Sequence, residues 1–134
     1  MVVGHLGINV PDLELARAYY AEVMPLVGFE SFLDASDEFA YMPADGKRGT
    51  YLFFYETVGD ASPYSVDTTV GLQHLAFMVR DRASVDRVHD WVTASGGISL
   101  EAPRVFSQYP QPYYATFWFD PFGLKLEAVC HHDA

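Results

Sequence analysis

Two histidines stand at the same place in two copies of one short pattern. His5-Leu-Gly-Ile-Asn-Val-Pro-Asp12 aligns with His74-Leu-Ala-Phe-Met-Val-Arg-Asp81 at a constant offset of 69 residues, so Leu6, Val10 and Asp12 fall over Leu75, Val79 and Asp81. The register persists to Gly28 over Gly97. A neutral imidazole is a common ligand for a divalent metal. A lone strand histidine is more simply read as a partly buried side chain satisfied by a backbone hydrogen bond. Two in matched register favour a site, because equivalent places in a duplicated module let the rings converge if the two sheets face each other. A third residue stands out in Gly123-Leu-Lys-Leu-Glu-Ala-Val129. As a strand, this segment places Leu124, Leu126 and Ala128 on one face and Lys125, Glu127 and Val129 on the other. A carboxylate among apolar neighbours is costly unless it is paired. A cation beside Glu127 would remove that cost; so would water, if the face that also carries Lys125 is exposed.

The elements that must position these residues repeat as well. Residues 3–10 and 72–79 are rich in Val, Ile, Leu and Phe and short enough for strands. Asp12 and Asp81 then stand where an N-cap opens a helix. Leu13, Ala16, Tyr20, Val23 and Val27, and in the second copy Val85, Val88 and Val92, follow helical spacing. Gly28 and Gly96–Gly97 are helix stops. The runs 38–42, 50–56, 113–119 and 124–130 are β-prone, with turn chemistry in Pro43-Ala-Asp-Gly46 and Asp120-Pro-Phe-Gly123. Each module therefore reads as strand, helix, then about three strands. Module one covers about residues 1–58, a linker about 59–70, and module two about 71–130.

This order of features resembles the vicinal oxygen chelate superfamily: a histidine on the first strand, a second about 70 residues on, and a terminal Asp-Pro-x-Gly-x-x-Leu-Glu. That group contains glyoxalase I, extradiol dioxygenases, methylmalonyl-CoA epimerase, and fosfomycin and bleomycin resistance proteins. The resemblance covers nearly the whole chain. It implies an α+β fold of two tandem βαβββ modules forming a curled mixed sheet around a shared cavity. It also implies one divalent ion held by His5, His74 and Glu127, with Glu127 or a metal-bound water as the proton carrier. Zn, Ni, Co, Mn or Fe(II) would suit such donors, since ligand type alone does not choose among them. The reactions of the group hold a substrate through adjacent oxygens and stabilise an enediolate or similar oxyanion. Isomerase or lyase chemistry is the reading taken here.

Departures from the pattern narrow the choice. Glyoxalase I carries a fourth ligand, a Glu on the last strand of its first module. Aligning Gly49 with Gly123 puts Phe53 at that position. Glu56, three residues later and 18 before His74, points to the opposite face and is a minor candidate, more simply a solvated strand-end residue. Three ligands leave open positions, as catalytic sites require. Ring cleavage is the runner-up: those dioxygenases carry a Tyr ten residues before the Glu, where Phe117 stands here. Fosfomycin resistance wants clustered cations, and only Lys47, Arg48, Arg104 and Lys125 lie near the relevant strands. A non-catalytic binding protein of the bleomycin resistance type, holding an aromatic compound, is the further alternative.

Composition bounds the rest. The 134 residues are 50% hydrophobic and 16% aromatic, enough for a packed interior. Phe53, Tyr55, Tyr113 and Phe117 are candidate pocket residues, favouring an apolar or aromatic small-molecule substrate. Tyr109-Pro-Gln-Pro-Tyr113 reads as a loop able to close over it, and His131 and His132 as a disordered tail. Eight Lys plus Arg against 18 Asp plus Glu give a net charge of −10, which argues against nucleic acid and anionic membranes as partners. The single Cys130 excludes an intrachain disulfide and fits a reducing, cytoplasmic setting. No signal peptide or apolar run of about 20 residues is visible. A homodimer is expected from the resemblance alone.

Overall fold

The computed structural model describes residues 3–59 and 64–134, and the chain divides into two compact units, Met1–Ser62 and Pro63–Ala134. The expected linker over 59–70 falls partly on residues 60–63, including Pro63, which lie outside the described residues. Each unit is a βαβββ module, so the expected α+β class holds.

The first unit runs β1 (His5–Val10), α1 (Leu13–Leu26), β2 (Phe29–Asp34), β3 (Glu38–Pro43) and β4 (Tyr51–Glu56), with sheet order β1-β4-β3-β2. The second runs β5 (Leu75–Met78), α2 (Arg82–Ala94), β6 (Ile98–Val105), β7 (Tyr114–Phe119) and β8 (Lys125–Cys130), with order β5-β8-β7-β6. In both, the first strand pairs parallel with the last, and the other neighbours are antiparallel.

The helices begin where the N-cap chemistry says they should. Asp12 accepts from the Leu15 N–H at 3.0 Å, and Asp81 from the Ser84 N–H at 2.8 Å, each satisfying a donor the helix leaves open. They end at Gly28 (φ +86°) and Gly96 (φ +77°), in the left-handed region that costs glycine least. Helix α1 buries Leu13, Ala16, Tyr20, Val23 and Met24 on the side that lies against β2, β3 and β4. There Tyr20 and Phe39 both pack on the fully buried Phe54, with ring centroids 4.4 and 4.7 Å away. Helix α2 buries Val85, Val88 and Val92 and lies against β6, β7 and β8, whose Trp118, Leu126 and Ala128 are also buried.

Sequence pattern and structure part company at two strands. β2 and β6 are not marked by apolar alternation, because most of their residues are solvent-exposed; each lies at one edge of its sheet. Among the described residues, no helix is long and apolar enough to cross a membrane.

Candidate functional site

The turn between β7 and β8 sets the last strand. Asp120 is buried, and its Oδ1 accepts from the N–H groups of Phe122 at 2.9 Å and Leu124 at 2.8 Å. This ties the Asp-Pro-Phe-Gly turn from within and delivers β8 in one register. Glu127 then lies between Ala76 of β5 and Phe117 of β7. As the alternation required, Leu126 and Ala128 occupy the opposite face.

Glu127 does not meet water. It is 1% exposed and among the largest fully buried side chains. Its Oε2 accepts a 2.5 Å hydrogen bond from the Tyr113 hydroxyl, and its Oε1 lies 3.3 Å from Nε2 of His74. His74, just before β5, is 38% exposed, and its Nδ1 donates to the side-chain oxygen of Gln73 at 2.6 Å. With the hydrogen on Nδ1, a neutral ring turns the Nε2 lone pair toward the carboxylate. Two acceptors then face each other at 3.3 Å beside a buried negative charge. A proton shared between the two atoms or a shared cation resolves that conflict. The Phe117 ring, 6.2 Å from His74, forms an apolar wall, and the Lys125 ammonium sits over its face at 5.1 Å.

The β6–β7 loop supplies the rest. Tyr113 is held by Tyr109 (ring centroids 4.8 Å apart), Phe106 (6.0 Å) and His131 (5.1 Å). Its backbone carbonyl accepts from the Phe106 N–H at 2.9 Å, and the Gln111 amide donates to the carbonyls of Phe106 and Tyr109. Burial, then the bond to Glu127 and its charge, push the Tyr113 phenol well above its ordinary pKa, so it stays a donor through the neutral range. The expectation of a disordered tail is corrected here. The His131 ring donates to the Pro112 carbonyl at 3.1 Å, and the Ala134 carbonyl accepts from the Arg82 N–H at 2.8 Å. Gln73 and His131 went unrecognised as parts of this site. Gln73 had only its adjacency to His74 to mark it, and His131 depends on a strand ending that turns the ring back onto the loop.

The first unit carries the matching frame with different chemistry. Gly7 pairs with Phe53 as Ala76 pairs with Glu127, so Phe53 does occupy the place of the carboxylate. The His5 ring meets the Phe53 ring at 5.4 Å, and Phe53 also contacts Phe32 and Tyr55. The Tyr55 ring lies over Gly7, where a Cβ would come within 3.3 Å of it. Glu56 points to the other face, and its Oε1 accepts from the Leu13 N–H at 3.0 Å, at the first turn of α1. An open groove of about 410 Å³ lies elsewhere in this unit, lined by Arg17, Ser31, Asp34, Phe39 and Tyr41 among others; Phe53 and Tyr55 are not among its walls. Its Arg17 is engaged by Asp34 and by the Ala35 carbonyl.

The structure thus brings together His74, Glu127, Tyr113 and Phe117 in the second unit, and His5, Phe53 and Tyr55 in the first. Among the described residues, no three His, Cys, Asp or Glu side chains form a ready-made metal cage. The donors present nevertheless suit a divalent ion. An imidazole nitrogen and a buried carboxylate oxygen converge, and Tyr113 and Gln73 each hold the atom turned away from the shared space.

Two βαβββ modules, the second with a histidine just before its first strand and a carboxylate on its last, define a class of protein. The chain belongs to the Glyoxalase/Bleomycin resistance protein/Dioxygenase superfamily, whose model matches residues 2–128. It is 27% identical over 126 residues to the uncharacterized protein YqjT of Bacillus subtilis (strain 168), covering 93% of this chain and 95% of that one. A candidate glyoxalase from Bacillus halodurans, known from its crystal structure, is 28% identical with a TM-score of 0.81, covering 96% of this chain and 94% of its own. The lactoylglutathione lyase of Agrobacterium tumefaciens has the same fold, with a TM-score of 0.65 at 18% identity, covering 96% of this chain and 92% of its own.

Proposed function

We propose that this protein is a divalent-metal-dependent enzyme that binds a small substrate through two neighbouring oxygens and stabilises an oxyanion, as an isomerase or lyase. One observation carries the reading: the fully buried Glu127 carboxylate faces the Nε2 lone pair of His74 at 3.3 Å. His74 and Glu127 would hold the ion, and the superfamily's ligand set adds His5 as the third donor. The ion, when bound, supplies Lewis-acid stabilisation of negative charge on oxygen. This chain's own residues do the remainder. His74 is held in one tautomer by Gln73, Glu127 in one orientation by Tyr113, and Phe117 keeps water from one side of the pair. The second oxygen of Glu127 is occupied by Tyr113, so any proton passed to this carboxylate enters at Oε1 or after the phenol yields. Phe117 offers no hydroxyl beside the pair, which favours isomerisation or elimination over ring cleavage. The small-molecule ligand and the homodimer expected from the family belong to the same proposal.

A second reading is a non-catalytic aromatic-binding protein. It draws on the partly exposed Phe32, Tyr51, Phe53 and Tyr55 of the first unit, which make edge and stacked contacts along one sheet. Elemental analysis of protein purified without an affinity metal column separates the two. The enzyme reading expects near-stoichiometric metal that is lost in His74→Ala and weakened in His5→Ala, with circular dichroism unchanged. Metal content unmoved by His74→Ala overturns the assignment, and no metal even after supplementation favours sequestration.

A further inference from the structure

We infer that Tyr113 is a positioning residue that holds the Glu127 carboxylate with Oε1 toward His74, and so sets the affinity of this pair for a divalent ion. The inference rests on the metal-dependent reading above. The carboxylate has two oxygens, and one is already committed: the Tyr113 hydroxyl donates to Oε2 at 2.5 Å while Oε1 faces His74. The direction of constraint follows from what holds each partner. Tyr113 is anchored independently of Glu127. Its ring is packed by Tyr109, Phe106 and His131, its carbonyl accepts from the Phe106 N–H, and Pro112 before it accepts from His131. The glutamate side chain, by contrast, has a free torsion at its carboxylate. The loop therefore fixes the phenol, and the phenol fixes the carboxylate. A group that always donates to Oε2 holds Oε1 beside Nε2 of His74, so the carboxylate is already ordered for a cation there. The first unit shows the converse: Phe53 replaces the carboxylate, and the residue opposite it in the register is Ala40 rather than an aromatic wall.

The test uses the full-length protein stripped with EDTA and titrated calorimetrically with Mn²⁺, then loaded with Co²⁺ for visible absorption. Tyr113→Phe keeps the ring and loses only the hydroxyl; Tyr109→Phe, from the same aromatic cluster, is the control. The expected result is about a 10–100-fold loss of Mn²⁺ affinity in Tyr113→Phe, the range for removal of a group that orients a ligand. Stoichiometry should be retained, the Co²⁺ spectrum altered, and Tyr109→Phe unchanged. Unaltered affinity and spectrum in Tyr113→Phe overturn the positioning role while leaving the metal site intact. Failure of the wild type to bind Mn²⁺ overturns the metal reading and this inference together. Isotope-edited infrared spectra of the cation-loaded wild type give an answer even if Tyr113→Phe does not fold. The bands lost in Glu127→Gln must show a carboxylate that keeps its hydrogen bond from the phenol, and a carboxylate free of that bond overturns the role.

Discussion

Exchanging Glu127 for Gln separates two accounts of the buried pair by the sign of one stability change. Glu127→Gln keeps the shape of the side chain and an acceptor for the Tyr113 hydroxyl. It also offers an amide N–H to His74 Nε2, where two lone pairs otherwise face each other at 3.3 Å. If the site exists to hold a cation, the metal-free wild type carries a buried charge that its surroundings only partly compensate. Replacing buried ionic groups by neutral ones of similar volume is commonly stabilising by about 1–4 kcal/mol. The lower part of that range applies here, because the Tyr113 bond to a charged acceptor, worth about 1.5–3 kcal/mol, falls to about 0.5–1.5 kcal/mol against an amide. The expected gain is about 1–2 kcal/mol. An unfolding entropy of about 2.1 cal/mol/K per residue over 134 residues converts 1 kcal/mol to about 3.5 °C, so the metal-free variant should melt about 4–7 °C above the wild type at pH 8. If His74 and Glu127 are instead a structural ion pair, the exchange removes their attraction; with His74 38% exposed that costs about 1 kcal/mol, and the melting temperature drops by about 3–4 °C. Added Mn²⁺ at about 100 times its Kd should stabilise the wild type by about 2.7 kcal/mol and the variant by nothing. Differential scanning calorimetry of EDTA-treated protein, with and without Mn²⁺, reads all four states. A less stable variant alongside a wild type that Mn²⁺ does not shift would refute the reasoning.

Glu56→Ala should lower stability by about 1 kcal/mol, through loss of an acceptor at the N-terminus of α1, and leave Mn²⁺ affinity unchanged. A fall in affinity by titration would bring Glu56 into the site after all. The Ser84 hydroxyl, then its N–H, and after them Arg80 and Arg87 hold the Asp81 carboxyl below the usual carboxylate range. Its charged form therefore stabilises the fold fully above about pH 4, and that contribution disappears as pH falls through the lower folded value. Asp81→Asn should accordingly flatten the acid limb of stability measured by urea unfolding between about pH 5 and pH 2; an unchanged limb would show that the cap carries no such dependence.

The frame was legible in the sequence because it was written twice. The 69-residue offset, the two aspartate caps and the glycine stops located both helices and the first strand of each unit. Aligning Gly49 with Gly123 also puts Phe53 in the place of Glu127, and the matching registers Gly7–Phe53 and Ala76–Glu127 agree. The exposed edge strands β2 and β6 left no such trace. Exposed strands lose the apolar alternation that a buried face imposes, so their pairing is carried by backbone hydrogen bonds to β3 and β7. Within the site, Glu127 was visible as a charge out of place, whereas its bond to Tyr113, named only as a pocket candidate, was not. Tyr113 lies 14 residues earlier, across a loop whose path depends on Gln111 bonding to two carbonyls and on His131 folding back. Side-chain periodicity carries no information about either.

Duplication explains why only one half of the molecule concentrates this chemistry. Two identical modules would place a histidine and a carboxylate on each sheet, and each buried carboxylate needs its own compensation. In the second unit the Tyr113 hydroxyl supplies part of it at 2.5 Å, and a cation between Oε1 and His74 would supply the rest. In the first, β3 presents Ala40 where β7 presents Phe117, and Phe53 fills the carboxylate's place with a ring packed by His5, Phe32 and Tyr55. Such a ring removes the desolvation cost entirely and adds aromatic contact energy of about 0.5–1.5 kcal/mol per pair. The matched backbones are thus free to diverge at a single register position. One keeps a charge because neighbouring groups and, on the reading proposed here, a cation make it tolerable; the other exchanges that charge for packing.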